Sequence, residues 1–153
     1  MESLDELGEL DVAIDGADRI DASGWLIKGG GGAHTREKIV AASALRFIVI
    51  ASANKAVQRL EPPVPLELLR FGVLRTLAAL TPARLRDTKE SPDGGLIADY
   101  FGAIEDPREL ARRLSETPGV VDHGLFAPEM VSEILIAGDD GLERRLGGKP
   151  LAA

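Results

Sequence analysis

The sequence has 153 residues and a formal net charge of −7, with 44% hydrophobic and 28% charged side chains. These values predict one ordinary folded domain, or one domain with a small insertion, and exclude a disordered chain, a coiled coil and a large multidomain enzyme. The sequence has no cysteine and only two histidines, which excludes disulfides, thiolate metal ligands and cysteine nucleophiles and disfavours a histidine-rich metal site.

The first eleven residues are acidic and lack the basic and apolar regions of a secretory signal peptide. The longest strongly apolar run, residues 47–51, is far too short to cross a bilayer. The negative net charge argues against general binding to nucleic acids or to anionic membranes. We therefore expect a soluble, cytoplasmic protein with neither nucleic-acid nor membrane partners.

Two short strands are predicted near the N-terminus, each followed by a turn or loop. Residues 11–14 (DVAI) are typical of a buried strand, and the turn-forming sequence DGAD at 15–18 ends it. The second strand, residues 25–27, runs directly into Lys28 and four consecutive glycines at 29–32. Glycines allow backbone N–H groups to approach a ligand closely.

A helix and a further strand follow the glycines. Residues 35–45 have helical spacing of apolar side chains, and residues 47–51 (FIVIA) are typical of a strand covered on both faces. The order strand, glycine loop, helix, strand predicts an α/β protein with a parallel sheet. Ligands bind beyond the carboxyl ends of the strands in such sheets, and Asp15 and Lys28 both follow strand ends.

The second half of the chain is typical of a small α+β module over residues 64–126. Its helix near residue 107 is well marked, because Asp106 is a good N-cap, Pro107 suits the first helical position and Glu109 is placed for a capping box. The elements predicted here are a helix over 66–80, a strand over 96–101, a helix over 107–116, one further strand that includes 120–121 and 124–126, and a final strand over 131–137.

Several polar residues near the glycines allow two interpretations each. Asp15 and Asp18 form either an ordinary turn or a pair of carboxylates that converge on a polar substrate. Lys28 and the glycine run form either a flexible surface loop or a cation with N–H donors that stabilise negative charge. The run is neither a P-loop nor a dinucleotide fingerprint, because the lysine precedes the glycines and the required spacing is absent.

Glu37 lies in the first turns of the predicted helix, either because the helix dipole favours an acid there or because it is a general base beside a bound substrate. Arg36 and Lys38 flank Glu37 and are expected to favour its ionised form. Lys55, after the strand at 47–51, is either solvated or reaches an anionic ligand.

The two histidines are weaker candidates for chemistry. His34 borders the glycine loop, where a solvated or hydrogen-bonded side chain is at least as good an interpretation as a functional one. For His123, in the sequence VVDHGLF, we favour a structural or interface role. Neither histidine by itself identifies a site.

Three segments in a specific order and spacing give the sequence a family resemblance. They are DVAIDGADRID at 11–21, LIKGGGGAHTREKIVA at 26–41 and FIVIASANK at 47–55, followed by PVPLELL, LIADY and PGVVDHGLF further along the chain. Together these segments resemble the ribose-5-phosphate isomerase A family, and the similarity covers nearly the whole chain. Each motif is weak alone, but their joint occurrence is specific.

The resemblance implies an aldose–ketose isomerase that converts ribose 5-phosphate to ribulose 5-phosphate through an enediolate, without metal or organic cofactor. By motif, Glu37 matches the catalytic base, Asp15 and Asp18 match carboxylates that bind sugar hydroxyls and assist oxygen proton transfer or ring opening, and Lys28 matches the cation that stabilises the enediolate. Lys55 matches a lysine at the phosphate end. The implied substrate-binding residues are Asp15, Gly16, Ala17, Asp18, Lys28, Gly29, Gly30, Gly31 and Lys55.

The resemblance also implies a Rossmann-like parallel domain formed by residues 1–63 and 127–153, with an inserted ferredoxin-like α+β domain over 64–126. Family members carry an N-terminal segment before the DGAD motif, with the first strands and a Thr/Ser-rich phosphate loop, so the parallel sheet is expected to be incomplete. Exposed sheet edges are usually covered. We therefore expect a homo-oligomer (dimer or tetramer), or a partner chain that covers the part of the sheet where the first strands are missing.

Three functional hypotheses follow. The first is isomerase chemistry on a sugar phosphate, and the second is a related proton transfer, by an isomerase, epimerase or lyase, on a different or unphosphorylated sugar. The third is a noncatalytic sugar-binding homologue or a subunit of a heteromer. The third hypothesis is disfavoured by the joint presence of Asp15, Asp18, Lys28, Glu37 and Lys55. The lack of a phosphate loop disfavours the plain form of the first.

Overall fold

The computed structural model describes residues 4–150, which contain four α-helices, eleven strands and three sheets. The helices are α1 (Leu4–Leu7), α2 (His34–Ser43), α3 (Val73–Ala79) and α4 (Pro107–Glu116). The strands are β1 (Leu10–Asp15), β2 (Arg19–Ile20), β3 (Leu26–Ile27), β4 (Ala44–Ser52), β5 (Val64–Leu68), β6 (Ala83–Leu85), β7 (Leu96–Tyr100), β8 (Val120–His123), β9 (Leu125–Phe126), β10 (Glu133–Gly138) and β11 (Gly141–Leu146). Within this part of the chain, no helix is long and apolar enough to span a membrane.

The main sheet has the strand order β1, β4, β10, β11. The first three strands are parallel, which confirms the predicted parallel α/β sheet. The helix predicted over 35–45 is α2, and it ends earlier because Ala44 is extended and pairs with Leu10 of β1. The final predicted strand, over 131–137, is β10, which returns to the main sheet beside β4.

Strand β11 is absent from the sequence-based prediction. It pairs antiparallel with β10 through a turn at Asp139–Asp140, where Gly141 has a φ of +117°. The strand is largely exposed and carries adjacent charged residues, Arg144 and Arg145, so it shows no alternation of apolar and polar side chains. Its position in the sheet comes from pairing with β10 and from ion pairs, such as Arg144 Nε to Glu133 Oε1 at 2.6 Å.

The second sheet is antiparallel, with the order β6, β7, β5, β8, and carries α3 and α4 in its connections. The chain order of these elements, strand–helix–strand–strand–helix–strand, is the ferredoxin-like arrangement predicted for this region. Helix α4 has the predicted bounds. The Asp106 side chain accepts hydrogen bonds from the N–H groups of Arg108 and Glu109, as an N-cap does, and the Glu109 carboxylate pairs with Arg112.

The predicted helix over 66–80 is wrong for its first part. Residues 64–68 form β5, which lies in the middle of the second sheet and is buried along its whole length. The chain turns at Gly72, with a φ of +70°, and only then forms the short helix α3. Leucines at 66, 68 and 69 fit a buried strand as well as a helix, and cross-strand pairing on both sides of β5 decides between them.

A small sheet of β2, β3 and β9 lies between the two larger sheets. Alternate residues of its strands enter different cores. Leu26 and Phe126 belong to the core of the main sheet, whereas Ile27 and Leu125 belong to the core of the second sheet. Because β3 is held by both cores, its end has a defined position, and Lys28 follows at that end. The predicted division of the chain at residues 64 and 126 stays a prediction.

Buried polar contacts join helix α2 to the second sheet. The Glu67 carboxylate of β5 accepts short hydrogen bonds from Thr35 Oγ1, in the first turn of α2, and from Ser91 Oγ. Further along the helix, Lys38 Nζ lies 2.6 Å from Asp122 Oδ1 of β8. These contacts fix the position of α2, and therefore of Glu37, relative to the second sheet.

His123 lies beside this contact and is buried and hydrogen-bonded. Its Nδ1 accepts a hydrogen bond from the Leu125 N–H at 3.2 Å, and its Nε2 lies 3.1 Å from Ser115 Oγ. Burial, followed by the nearby charge of Lys38, lowers the pKa of His123 to about 3. Burial also lowers the pKa of His34. Both imidazoles are therefore neutral in the folded protein at neutral pH.

Because both histidines are neutral in the folded protein, we expect the free energy of unfolding to fall in acid. Between the unfolded pKa of about 6.5 and the folded pKa, the unfolded chain binds more protons, so the free energy of unfolding falls as the pH falls. For His123 we expect a slope approaching about 1.4 kcal/mol per pH unit below the unfolded pKa. Denaturant unfolding of wild type and His123→Gln between pH 6.5 and 5, where most carboxylates stay ionised, measures this slope. A His123→Gln variant with the wild-type slope would contradict the assignment, and His34→Gln measures the share of the second histidine.

Candidate active site

An open cleft of about 340 Å³ lies beyond the carboxyl ends of β1 and β3. Its lining contains every residue that the sequence predicted for the site, namely Asp15, Gly16, Ala17, Asp18, Lys28, Gly29, Gly30, Gly31, Glu37 and Lys55. These residues come from the end of β1 and the turn after it, the glycine loop, the first turn of α2 and the 3-10 helix that follows β4. The tertiary structure therefore brings four separate segments of the chain to one place.

Lys28 is the centre of the cleft's charge arrangement. Its side chain is only 4% exposed. The ammonium group lies 2.9 Å from Asp15 Oδ2 and 3.2 Å from Glu37 Oε2, and it also donates to the Gly16 carbonyl oxygen at 2.5 Å. A buried cation is tolerated only when charges and hydrogen bonds compensate it, and Asp15 and Glu37 together provide this compensation.

The backbone of Lys28 is fixed by Gly124, which lies between β8 and β9. The Lys28 N–H donates to the Gly124 carbonyl oxygen at 2.9 Å. A Cβ atom at Gly124 would lie 2.1 Å from the Lys28 carbonyl oxygen, so only glycine allows the two chains to approach this closely. The ammonium group also lies 5.6 Å from the centre of the Phe126 ring.

Glu37 lies in the first turn of α2, and its side chain is 31% exposed. Its Oε2 atom is buried and accepts no well-aligned hydrogen bond from residues 4–150, although it faces the Lys28 ammonium. Arg36 and Lys38, which flank Glu37 in sequence, form their ion pairs with other carboxylates. Successive helix residues point about 100° apart, so Arg36 pairs with Asp93 and Lys38 with Asp122, on other sides of the helix.

The glycine loop is tightly folded against its surroundings. Gly29 has a φ of +104°, and a Cβ atom there would lie 2.6 Å from His34 Nδ1, so a side chain is excluded on both grounds. The Gly30 N–H donates to Asp18 Oδ2 at 2.8 Å. Asp18 therefore contributes to the shape of the loop as well as to the charge of the cleft.

His34 differs from the sequence-based expectation of a solvated or hydrogen-bonded side chain. It is fully buried beneath the glycine loop, and neither ring nitrogen has a hydrogen-bond partner within residues 4–150. Its ring packs closely against the backbone of Gly29.

Lys55 ends the 3-10 helix that follows β4 and lines the cleft. Nearby, Ser52 Oγ donates to Asn54 Oδ1 at 2.5 Å, so these two small polar side chains satisfy each other. Lys55 and Lys28 are the cations of the cleft lining. Within residues 4–150, no group of three or more His, Asp or Glu side chains is arranged to hold a metal ion.

The sequence-based search missed two residues that hold the loop from the second sheet. Arg86, which follows β6, donates to the carbonyl oxygens of Gly29 and Gly30, and Asp99 of β7 pairs with its guanidinium. No motif around Arg86 or Asp99 marks them, because an arginine in a polar turn and an aspartate in a strand are unremarkable in sequence. Their relevance depends on a contact between segments 56 residues apart.

The arrangement as a whole suits proton abstraction next to a carbonyl group. Such a reaction needs one positioned base and electrostatic stabilisation of the oxygen that becomes negative. Glu37 can provide the base, and the Lys28 ammonium with the N–H groups of the glycine loop can provide the stabilisation. Asp15 and Asp18 add acceptors for hydroxyl groups.

Comparison with known proteins agrees with this geometry. Residues 1–141 match the family model described as ribose 5-phosphate isomerase A (phosphoriboisomerase A). A ribose-5-phosphate isomerase A from Roseiflexus sp. (strain RS-1) is 49% identical over 152 residues, which cover 92% of this chain. This chain covers 65% of that relative, slightly less than two thirds of its length.

Solved structures give the same result. The crystal structure of ribose 5-phosphate isomerase A from Neisseria gonorrhoeae superposes with a TM-score of 0.89 at 32% identity, over 95% of this chain and 68% of that one. A D-ribose-5-phosphate isomerase in complex with phospho-erythronic acid superposes with a TM-score of 0.87 at 33% identity, over 95% and 69% of the two chains. Sequence motifs, fold and cleft agree, and the chain belongs to the ribose 5-phosphate isomerase A family.

Proposed function

We propose that the chain is an aldose–ketose isomerase that interconverts ribose 5-phosphate and ribulose 5-phosphate, or a closely related pair of sugar phosphates. The observation that carries this proposal is the Lys28 ammonium placed between Asp15 and Glu37 in a cleft beside the glycine loop. The names of the relatives support the substrate, and the cleft volume is in the range of small-ligand sites.

In the proposed mechanism, the Glu37 carboxylate removes the proton from C2 of the open-chain aldose. The electron pair of the C–H bond forms the C1–C2 double bond, and the carbonyl electrons move to O1, which becomes the enediolate oxygen. Lys28 and the loop N–H groups stabilise this charge. Glu37 then returns the proton to C1, while the O2 proton moves to O1 with the help of Asp15, and the ketose forms without gain or loss of atoms.

Replacing the base tests this mechanism. We expect Glu37→Gln to lower the rate of C2 proton exchange about 10²–10⁴-fold, because an amide cannot accept the proton. NMR of ribose 5-phosphate in deuterated water, with and without the protein, measures the loss of the carbon-bound proton. The matched control is Glu105→Gln, an exposed glutamate before α4, which should exchange at the wild-type rate. Equal rates for wild type and Glu37→Gln would refute the role of Glu37.

A second candidate substrate class, an unphosphorylated sugar, is favoured by the small number of cations in the cleft lining. Lys28 pairs with Asp15 and Glu37, so Lys55 is the only other cation of the lining among the described residues, and Ser52 and Asn54 are bonded to each other. A phosphate therefore depends on Lys55 within this part of the chain. An unphosphorylated pentose would not need Lys55.

Lys55→Gln separates these substrate classes. A charge-assisted hydrogen bond contributes about 1.5–3 kcal/mol, so the variant should raise KM for ribose 5-phosphate by roughly 10–100-fold and leave exchange of unphosphorylated ribose unchanged. Steady-state kinetics of both sugars gives the comparison, with the exposed Lys89→Gln as control. If both sugars lose activity in parallel, Lys55 does not recognise phosphate.

The outer face of the main sheet supports a homo-oligomer. Ile14 of the edge strand β1 is 62% exposed, and its neighbours Val12 and Ile50 are also exposed on the same face. An apolar sheet face beside an unpaired edge strand is a common site of association, and two copies can cover it symmetrically. The predicted cytoplasmic location stays a prediction.

Molar mass in solution tests this assembly. We expect light scattering at micromolar concentration to give a multiple of the monomer mass, and Ile14→Lys to shift it towards the monomer because a buried cation would be unpaired. Leu74→Lys, on the exposed side of α3, is the control and should leave the mass unchanged. A folded wild-type monomer at that concentration would overturn the proposal.

A further inference from the structure

Arg86 is rigidly held between the second sheet and the glycine loop. Its Nε and Nη2 atoms donate to Oδ2 and Oδ1 of Asp99, both at 2.6 Å, which is a two-bond contact that fixes the plane of the guanidinium. Its backbone N–H donates to the Ile97 carbonyl oxygen at 2.9 Å. Both charged side chains are less than one fifth exposed, so water competes weakly for these contacts.

The remaining terminal nitrogen of Arg86 contacts the loop. Nη1 donates to the carbonyl oxygen of Gly29 at 3.1 Å and to that of Gly30 at 3.0 Å. Two consecutive carbonyl groups of the loop are thus turned towards one cation. Glycine has the widest backbone freedom of any residue, so a loop of four glycines needs such external contacts to keep one conformation.

This contact determines where the N–H groups of the loop point. In a trans peptide unit, the carbonyl oxygen and the next N–H point in opposite directions. Because the Gly29 carbonyl faces Arg86, the Gly30 N–H faces the other way, where it donates to Asp18 Oδ2. The Gly30 carbonyl also faces Arg86, so the Gly31 N–H is directed away from it, and no residue of the described chain accepts a hydrogen bond from this group.

Arg86 itself is outside the cleft lining, whereas Gly31 belongs to it. The geometry points to Arg86 as a positioning residue that, anchored by Asp99, turns the Gly31 N–H into the cleft as a donor to the enediolate oxygen. This inference rests on the proposed isomerase function. Arg86 acts through the loop, since its guanidinium is occupied by four contacts and faces the carbonyl side of the peptide units.

The conformation of the loop can be tested without reference to activity. In ¹⁵N-labelled protein, we expect Arg86→Gln to lower the backbone order parameters of Gly30 and Gly31 from about 0.85 to below about 0.6, because the loop loses its external contact. The matched control is Arg84→Gln, which removes an exposed arginine two residues away and should leave the order parameters unchanged. Unchanged order parameters in Arg86→Gln would overturn the inference.

A second variant tests the same contact in case Arg86→Gln does not fold. Asp99→Asn retains the shape of the partner but removes its charge, so the Arg86 guanidinium loses its fixed plane. We expect a smaller fall in the same order parameters, with the amide spectrum of the rest of the protein unchanged. If the loop stays rigid in Asp99→Asn while Arg86 loses its contact with residue 99, the anchoring role of Asp99 is wrong.

Kinetics separates positioning from a merely structural role. Removing an oxyanion donor typically lowers kcat about 10²–10³-fold, so a misdirected donor in Arg86→Ala should lower kcat for ribose 5-phosphate at least tenfold. Because that donor acts on the transition state, KM should change little, and millimolar guanidinium should restore part of kcat. A rise in KM with normal kcat would contradict the inference.

The two proposals fail in different ways. If wild type and Glu37→Gln both leave the C2 proton in place, the isomerase function fails, and with it the role of Gly31 as a donor to the enediolate. If wild type exchanges the proton and Arg86→Ala does so at the same kcat, the isomerase function stands and the positioning role of Arg86 fails.

Discussion

The site depends on one buried cation. Lys28 is almost completely removed from water, and its ammonium group is compensated by Asp15, Glu37 and the Gly16 carbonyl oxygen. Leaving any of these charges unpaired in the interior would be costly, so the ion pairs tie β1, β3 and α2 to one another. The same contacts that stabilise this junction of three elements hold two carboxylates and an ammonium group around one cleft.

The second sheet contributes as much to the cleft as the main sheet does, although it provides none of the lining side chains. Glu67 of β5 binds the first turn of α2, and Asp122 of β8 binds the same helix one turn later. Arg86 holds the glycine loop from the other side. Helix α2 and the glycine loop therefore keep their separation, because both are bound to the second sheet.

Local sequence patterns predict the residues of the cleft better than the strands around it. The DGAD turn ends β1 of the parallel sheet and REKI lies in the helix that leads into β4, as a parallel sheet predicts. Lys28 instead follows β3, which pairs antiparallel with β2 and β9 in the small sheet, so the cleft lies where the two sheets meet. The strand β5 was predicted as a helix, because its leucines fit both periods and only pairing with β7 and β8 distinguishes them. The charged strand β11 shows no periodic signal at all.

The sequence by itself determined the residue types of the cleft, the parallel strands of the main sheet and the family to which the chain belongs. Only the tertiary structure decided which charged side chains pair. Lys28 pairs with Asp15, thirteen residues earlier in the chain, and with Glu37. Arg36 and Lys38, the neighbours of Glu37 in sequence, pair with other carboxylates. The physical reason is that helix geometry sends neighbours in sequence to different sides, while burial makes distant opposite charges meet.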